Sequence, residues 1–192
     1  MRTRCVVVAL FLAVHLATPV RADQPVRDGL AVGFGLGGAS VSWTWPDGER
    51  RAERSGSGSL RVAWALDQDL LIGIESWGWS QDYKIGSTPE DIPAEATLWA
   101  VTAAATYFPG NTGFYVRGGL GLGGGRAEIG APTVEKSTAT GMSILGAMGY
   151  EFGLTPHMAL GGAIDAVYIG MDAVVFDQVF GYGFAVQLNW YW

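Results

Sequence analysis

Two stretches of this 192-residue chain carry the glycine spacing of a nucleotide-binding loop. In "YVRGGLGLGGGR", Gly119, Gly121 and Gly124 read G-x-G-x-x-G, and in "GFGLGG" Gly33, Gly35 and Gly38 repeat the pattern. A phosphate loop works where a strand turns into a helix, because the first amides of that helix hold the anion. Neither stretch is followed by an amphipathic helix or by Gly-Lys-Ser/Thr. The glycines fall instead at every second position between large apolar residues. They follow a strand period, and phosphate chemistry is not indicated.

The other reactive side chains are sparse. His157 follows Pro156 in a turn-like segment and is the one histidine beyond residue 22. Ser76 and Ser80 lie close in sequence to Glu75, but a serine needs a positioned base to become a nucleophile, and no histidine stands near them. With one cysteine, Cys5, and an isolated histidine, a zinc or other soft-metal site is not supported. The acidic residues Asp82, Glu90, Asp91 and Glu95 could attract Ca²⁺ weakly; as loop residues they are expected to be solvated or bridged to lipid headgroups. No cofactor and no enzymatic activity are expected.

The first residues read as an export signal. Arg2 and Arg4 precede an apolar run from Cys5 to Leu16, too short to span a bilayer, and Val20-Arg21-Ala22 places small residues at the cleavage positions. Cleavage after Ala22 divides the chain into a signal peptide, 1–22, and a single domain, 23–192, that retains no cysteine. Removing Arg2, Arg4 and Arg21 from the 12 basic residues leaves nine against 18 acidic ones, a formal net charge of −9. Nucleic acid is excluded as a partner, because no basic surface is available to neutralise phosphates. Mean hydropathy is +0.22, yet no segment beyond the signal has the ~20 apolar residues of a membrane helix.

Period-two alternation accounts for that hydrophobicity. In "FGYGFAVQLNWYW", Phe180, Tyr182, Phe184, Val186, Leu188, Trp190 and Trp192 share one face, opposite Gly181, Gly183, Ala185, Gln187, Asn189 and Tyr191. Eight such segments are expected, at about 29–45, 57–66, 70–80, 96–108, 113–127, 138–152, 158–171 and 180–192. Tight turns at 67–69, 109–112 and 153–157 alternate with longer polar connections around 46–56, 81–95, 128–137 and 172–179. Short turns on one side and longer loops on the other are the pattern of a barrel that crosses a membrane. The bulky face must then meet lipid, since an eight-stranded lumen is narrow and suits the face rich in Gly, Ala, Ser and Thr. Trp64, Tyr107, Phe114, Tyr150, Phe152, Trp190 and Trp192 lie on the outward parity near the short turns, as an interfacial girdle would. The expected fold is an all-β, eight-stranded antiparallel up-and-down transmembrane β-barrel.

Inward parity also collects five charges: Arg61, Glu75, Arg117, Glu151 and Asp165. Isolated charges are costly to desolvate, so opposite signs should pair, with Arg61 or Arg117 touching at least one of the three acids. A fixed polar plug is favoured over a gate or proton path. Inward glycines at 35, 37, 121, 123, 141 and 183 make room in the upper lumen, either for large side chains such as Trp77 and Trp79 or for a small wet cavity. Trp43 and Trp45 share the lumen parity unless a bulge at Gly37-Gly38 turns them outward; the sequence leaves both orientations open.

Taken together, the signal, the loop alternation, the inward charges and the terminal "QLNWYW" resemble the small eight-stranded outer-membrane barrels, the group of the OmpA transmembrane domain and OmpX. The resemblance covers 23–192. It implies outer-membrane residence, an inward ion-pair cluster, and a C-terminal strand read by the barrel-assembly machinery, here Phe184, Val186, Leu188, Trp190 and Trp192. It also implies lipid and lipopolysaccharide as surroundings and a monomer. The expected function is structural or surface-exposed and non-catalytic, with a plugged lumen and short external loops. The alternative is a barrel that binds or passes a small hydrophobic or amphipathic ligand through a Gly-lined upper lumen.

Overall fold

The computed structural model describes residues 24–44, 50–85, 92–129, 135–171 and 178–192. The expected signal peptide lies outside these residues, as do Trp45, Glu90 and Asp91. The strands are β1 Gly29–Thr44, β2 Arg50–Ala65, β3 Leu70–Ile85, β4 Ile92–Tyr107, β5 Phe114–Ile129, β6 Glu135–Thr155, β7 Met158–Met171 and β8 Gln178–Tyr191. Each pairs antiparallel with its neighbour in sequence, and β1 pairs with β8 from Ala31↔Tyr191 to Trp43↔Val179, which closes the barrel. Closure supplies the backbone hydrogen bonds that lipid cannot.

Alternation sets the two faces. Leu120, Ile144, Met148 and Phe184 all point outward and are more than half exposed, as are Trp64 and Trp192 at the short-turn end. A soluble barrel would leave no such wall of large apolar side chains facing water, whereas lipid accepts it. The interior buries two apolar clusters. One, toward the longer connections, contains Val41, Trp43, Trp77, Trp79, Leu98, Leu145 and Ile169. The other, at the short-turn end, contains Leu71, Phe108, Tyr115 and Tyr191.

Three details go beyond the sequence reading or depart from it. The strands run into stretches assigned to loops, notably 50–56, 81–85, 92–95 and 135–137. Polar residues occupy both parities there, so the hydrophobic period vanishes although the backbone pairing continues. Secondly, β1 stays in register with β2 from Gly29↔Ala65 to Thr44↔Arg50 without a bulge, and Trp43 is therefore a lumen residue, edge-on to Trp79 at 6.2 Å. Thirdly, some inward glycines accommodate backbone as well as side chains. A Cβ at Gly121 would collide with the Val101 carbonyl oxygen, and one at Gly37 with that of Phe184. At those points neighbouring strands bend too close for any side chain.

The turns are held by local chemistry. Asp67 Oδ1 accepts from the amides of Asp69 and Leu70, both at 2.8 Å, capping the β2–β3 turn. The β4–β5 turn is a single 3-10 turn, Pro109–Asn111, in which Gly110 and Asn111 take left-handed φ values of 63° and 51°. Glycine and asparagine tolerate that region best.

Candidate functional site: the polar layer inside the barrel

A layer of charged and amide side chains lies between the two apolar clusters. Its charges come from the inward parity of five strands: Arg61 on β2, Glu75 on β3, Arg117 on β5, Glu151 on β6 and Asp165 on β7, all buried. Arg61 and Glu75 face each other in register across β2 and β3. Arg117 Nε lies 2.8 Å from Glu75 Oε2, with both side chains 2% exposed. Arg61 donates through Nη2 to Asn189 Oδ1 at 2.8 Å. Asn189 Nδ2 in turn donates to Glu151 Oε2 at 2.9 Å. Asp165 accepts from Trp77 Nε1 at 3.2 Å, and Tyr115 donates its hydroxyl to Gln187 Oε1 at 2.7 Å. Strand pairing thus brings together residues from six strands, counting Gln187 and Asn189 of β8, and each charge meets a polar partner or an opposite charge.

The cation of Glu151 comes from outside the strands. Arg27, two residues before β1, is fully buried. Its Nε and Nη2 donate to Glu151 Oε1 at 3.1 and 2.8 Å. Nη1 donates to Asn111 Oδ1 at 2.8 Å and Nη2 to the Thr112 carbonyl at 3.0 Å. The guanidinium carbon lies 3.6 Å from the Phe108 ring centroid, and the Tyr191 hydroxyl donates to Glu151 at 2.9 Å. Sequence reasoning missed Arg27 because it belongs to no alternating segment. The available signal was charge balance: inward parity supplies three acids and only two arginines.

Several reactive candidates fall apart in space. Ser76 and Ser80 stand on the outward side of β3, bonded to the Leu60 carbonyl and the Thr97 hydroxyl, while Glu75 points inward. Adjacent residues on a strand face opposite ways, so closeness in sequence did not mean proximity. His157 is exposed in the β6–β7 turn, its Nδ1 3.1 Å from the Tyr191 carbonyl oxygen. Among the described residues no group of three His, Cys, Asp or Glu could hold a metal ion. Asp82 and Glu95 are exposed register partners across β3 and β4.

Free volume is distributed unevenly. In the polar layer, beside Glu75, Arg117, Asp165 and Gln187, the void measures about 10 Å³. Larger hollows of about 490 and 930 Å³ lie on the outer wall, the latter above the small outward residues Ala103, Ala105 and Gly118. The five C-terminal residues singled out by parity, Phe184, Val186, Leu188, Trp190 and Trp192, all lie on that wall, none of them buried.

No protein-family model and no curated protein matches the chain. Solved structures do. Ail, the attachment invasion locus protein of Yersinia pestis, solved in complex with the heparin analogue sucrose octasulfate, is 16% identical with a TM-score of 0.59, over 85% of this chain and 99% of its own. Neisserial surface protein A is 18% identical with a TM-score of 0.61, over 86% and 98%. The outer membrane protein OprG from Pseudomonas aeruginosa is 10% identical with a TM-score of 0.51, over 88% and 99%. At such identities the likeness is one of fold, and it spans nearly the whole of each neighbour. The fold of this chain, a closed antiparallel barrel of eight strands, is that of these small outer-membrane proteins.

Proposed function

We propose that this chain is a non-catalytic structural or surface protein of the outer membrane, a monomer whose lumen is sealed along its axis. In this reading the signal peptide 1–22 directs export and the outward face of β8 serves assembly. Lipid and lipopolysaccharide surround the apolar wall, and the longer connections face the exterior.

The observation that carries this reading is how little space the polar layer leaves, a void of about 10 Å³ beside Glu75, Arg117 and Asp165, roughly one water molecule. The polar layer seals by ion pairing, Arg117 to Glu75 and Arg27 to Glu151. Trp43, Trp77 and Trp79 fill the space above it. A small apolar ligand travelling down the upper lumen would have to displace those three rings. A polyanion of the kind bound to Ail finds little support in a domain with a net charge of −9.

Reconstitution into a planar bilayer tests the seal. The sealed barrel gives no stepwise conductance in 1 M KCl, whereas reproducible unitary steps would refute it.

A further inference from the structure

We infer that Arg27 is a closure latch: it seats after the barrel has closed and then holds it closed from the short-turn end. The seat is assembled from parts far apart in sequence. Gln68 comes from the β2–β3 turn, and its carbonyl and side chain accept from Arg27 Nη1 and N at 3.4 and 3.1 Å. Asn111 and Thr112 come from the β4–β5 turn, Glu151 from β6 and the Tyr191 hydroxyl from β8. Arg27 lies two residues before β1, so it can reach Glu151 only once β1 lies against β8. Half a barrel offers half a seat.

The arm itself is lightly held. Its backbone meets the barrel through two bonds, Val26 N to the Pro156 carbonyl at 2.8 Å and Arg27 N to Gln68 Oε1 at 3.1 Å; Pro25 is buried, while Val26 and Asp28 on either side of Arg27 are exposed. The Arg27 side chain makes most of the arm's polar contacts with the barrel. A contact absent from the folding transition state changes the unfolding rate and leaves the folding rate alone. A contact already formed in the transition state would slow folding as well when removed. The inference does not depend on whether the lumen conducts ions.

The test uses protein purified from the outer membrane of a Gram-negative host expressing the full chain. Unfolding in urea and refolding into phosphatidylcholine vesicles are followed by the mobility of the folded band on unheated gels. For R27Q the folded band forms within about twofold of the normal rate, and unfolding accelerates by about tenfold or more, since a charged hydrogen-bond set has been lost. N111G keeps the cation on Glu151 and a residue that tolerates the left-handed backbone at 111, and removes one bond; its unfolding accelerates by about fivefold with folding unchanged. Slower folding of either variant with normal unfolding would place the contact before closure and overturn the latch. So would failure of R27Q to fold at all, or unfolding rates unchanged in both.

Discussion

Neutralising one partner of the Arg117–Glu75 pair should be among the costliest single changes the barrel can suffer. The two charges approach to 2.8 Å with their side chains 2% exposed. At an effective dielectric constant of about 20 the attraction at that distance is on the order of 6 kcal/mol. Desolvation offsets much of it in the intact pair. In E75Q, however, Arg117 keeps its desolvation cost and loses its counter-charge, and such removals typically cost about 3–5 kcal/mol. The described inward charges with Arg27 are three arginines and three acids, so either single change leaves the lumen with an uncompensated charge. The double variant E75Q/R117Q restores neutrality and should recover at least about 2 kcal/mol relative to the sum of the two singles. Urea midpoints of the folded gel band in vesicles, measured for all four proteins, give the coupling. Single variants that lose less than about 1 kcal/mol, or a double variant equal to the sum, would show that the pair does not bear on stability.

The glycines give a matched contrast on one strand. In G121A a Cβ would meet the Val101 carbonyl oxygen and, at 2.6 Å, Thr102 Cα, so backbone must shift; the same midpoint assay should show a loss of about 1–3 kcal/mol. Gly118, three residues earlier and on the outward face, has no atom within 4 Å of its would-be Cβ. G118A should therefore be neutral or stabilising by about 0.4–1 kcal/mol, because alanine restricts the unfolded chain more than glycine does.

Which parts of this architecture can be read from residues alone follows from the physics of each part. Facing is legible wherever lipid is on one side: Ile144 out and Ser143 in follow from period two, and the parity of Phe180 through Trp192 holds along the whole last strand. Strand ends are not legible, because beyond the apolar belt both faces of β2 meet polar surroundings and 50–56 reads as loop. Parity assigns Arg61, Glu75, Arg117, Glu151 and Asp165 to the lumen, but it does not say which acid meets which base. That depends on the stagger between strands, and here the stagger brings Arg117 of β5 to Glu75 of β3 while Glu151 turns to Arg27. Trp43 was ambiguous because a bulge at Gly37-Gly38 costs little in sequence terms; the unbroken β1–β2 ladder decides it. Inward glycine at Gly37 and Gly121 makes room neither for a side chain nor for a wet cavity but for the backbone of the next strand.

Inside-out orientation is the claim on which everything else rests, and lipid accessibility along two strands measures it. Single cysteines at Leu120, Leu122, Ile144 and Met148, and at the inward positions Gly119, Ser143 and Leu145, would be labelled with a small fluorophore in vesicles containing a lipid-borne quencher. Labelling in urea before refolding reaches both sets. Outward positions, more than half exposed in the barrel, should be quenched strongly, and inward positions that still refold should be weakly quenched. Quenching of the inward set with protection of the outward set would invert the faces and contradict a membrane-embedded barrel with a polar interior.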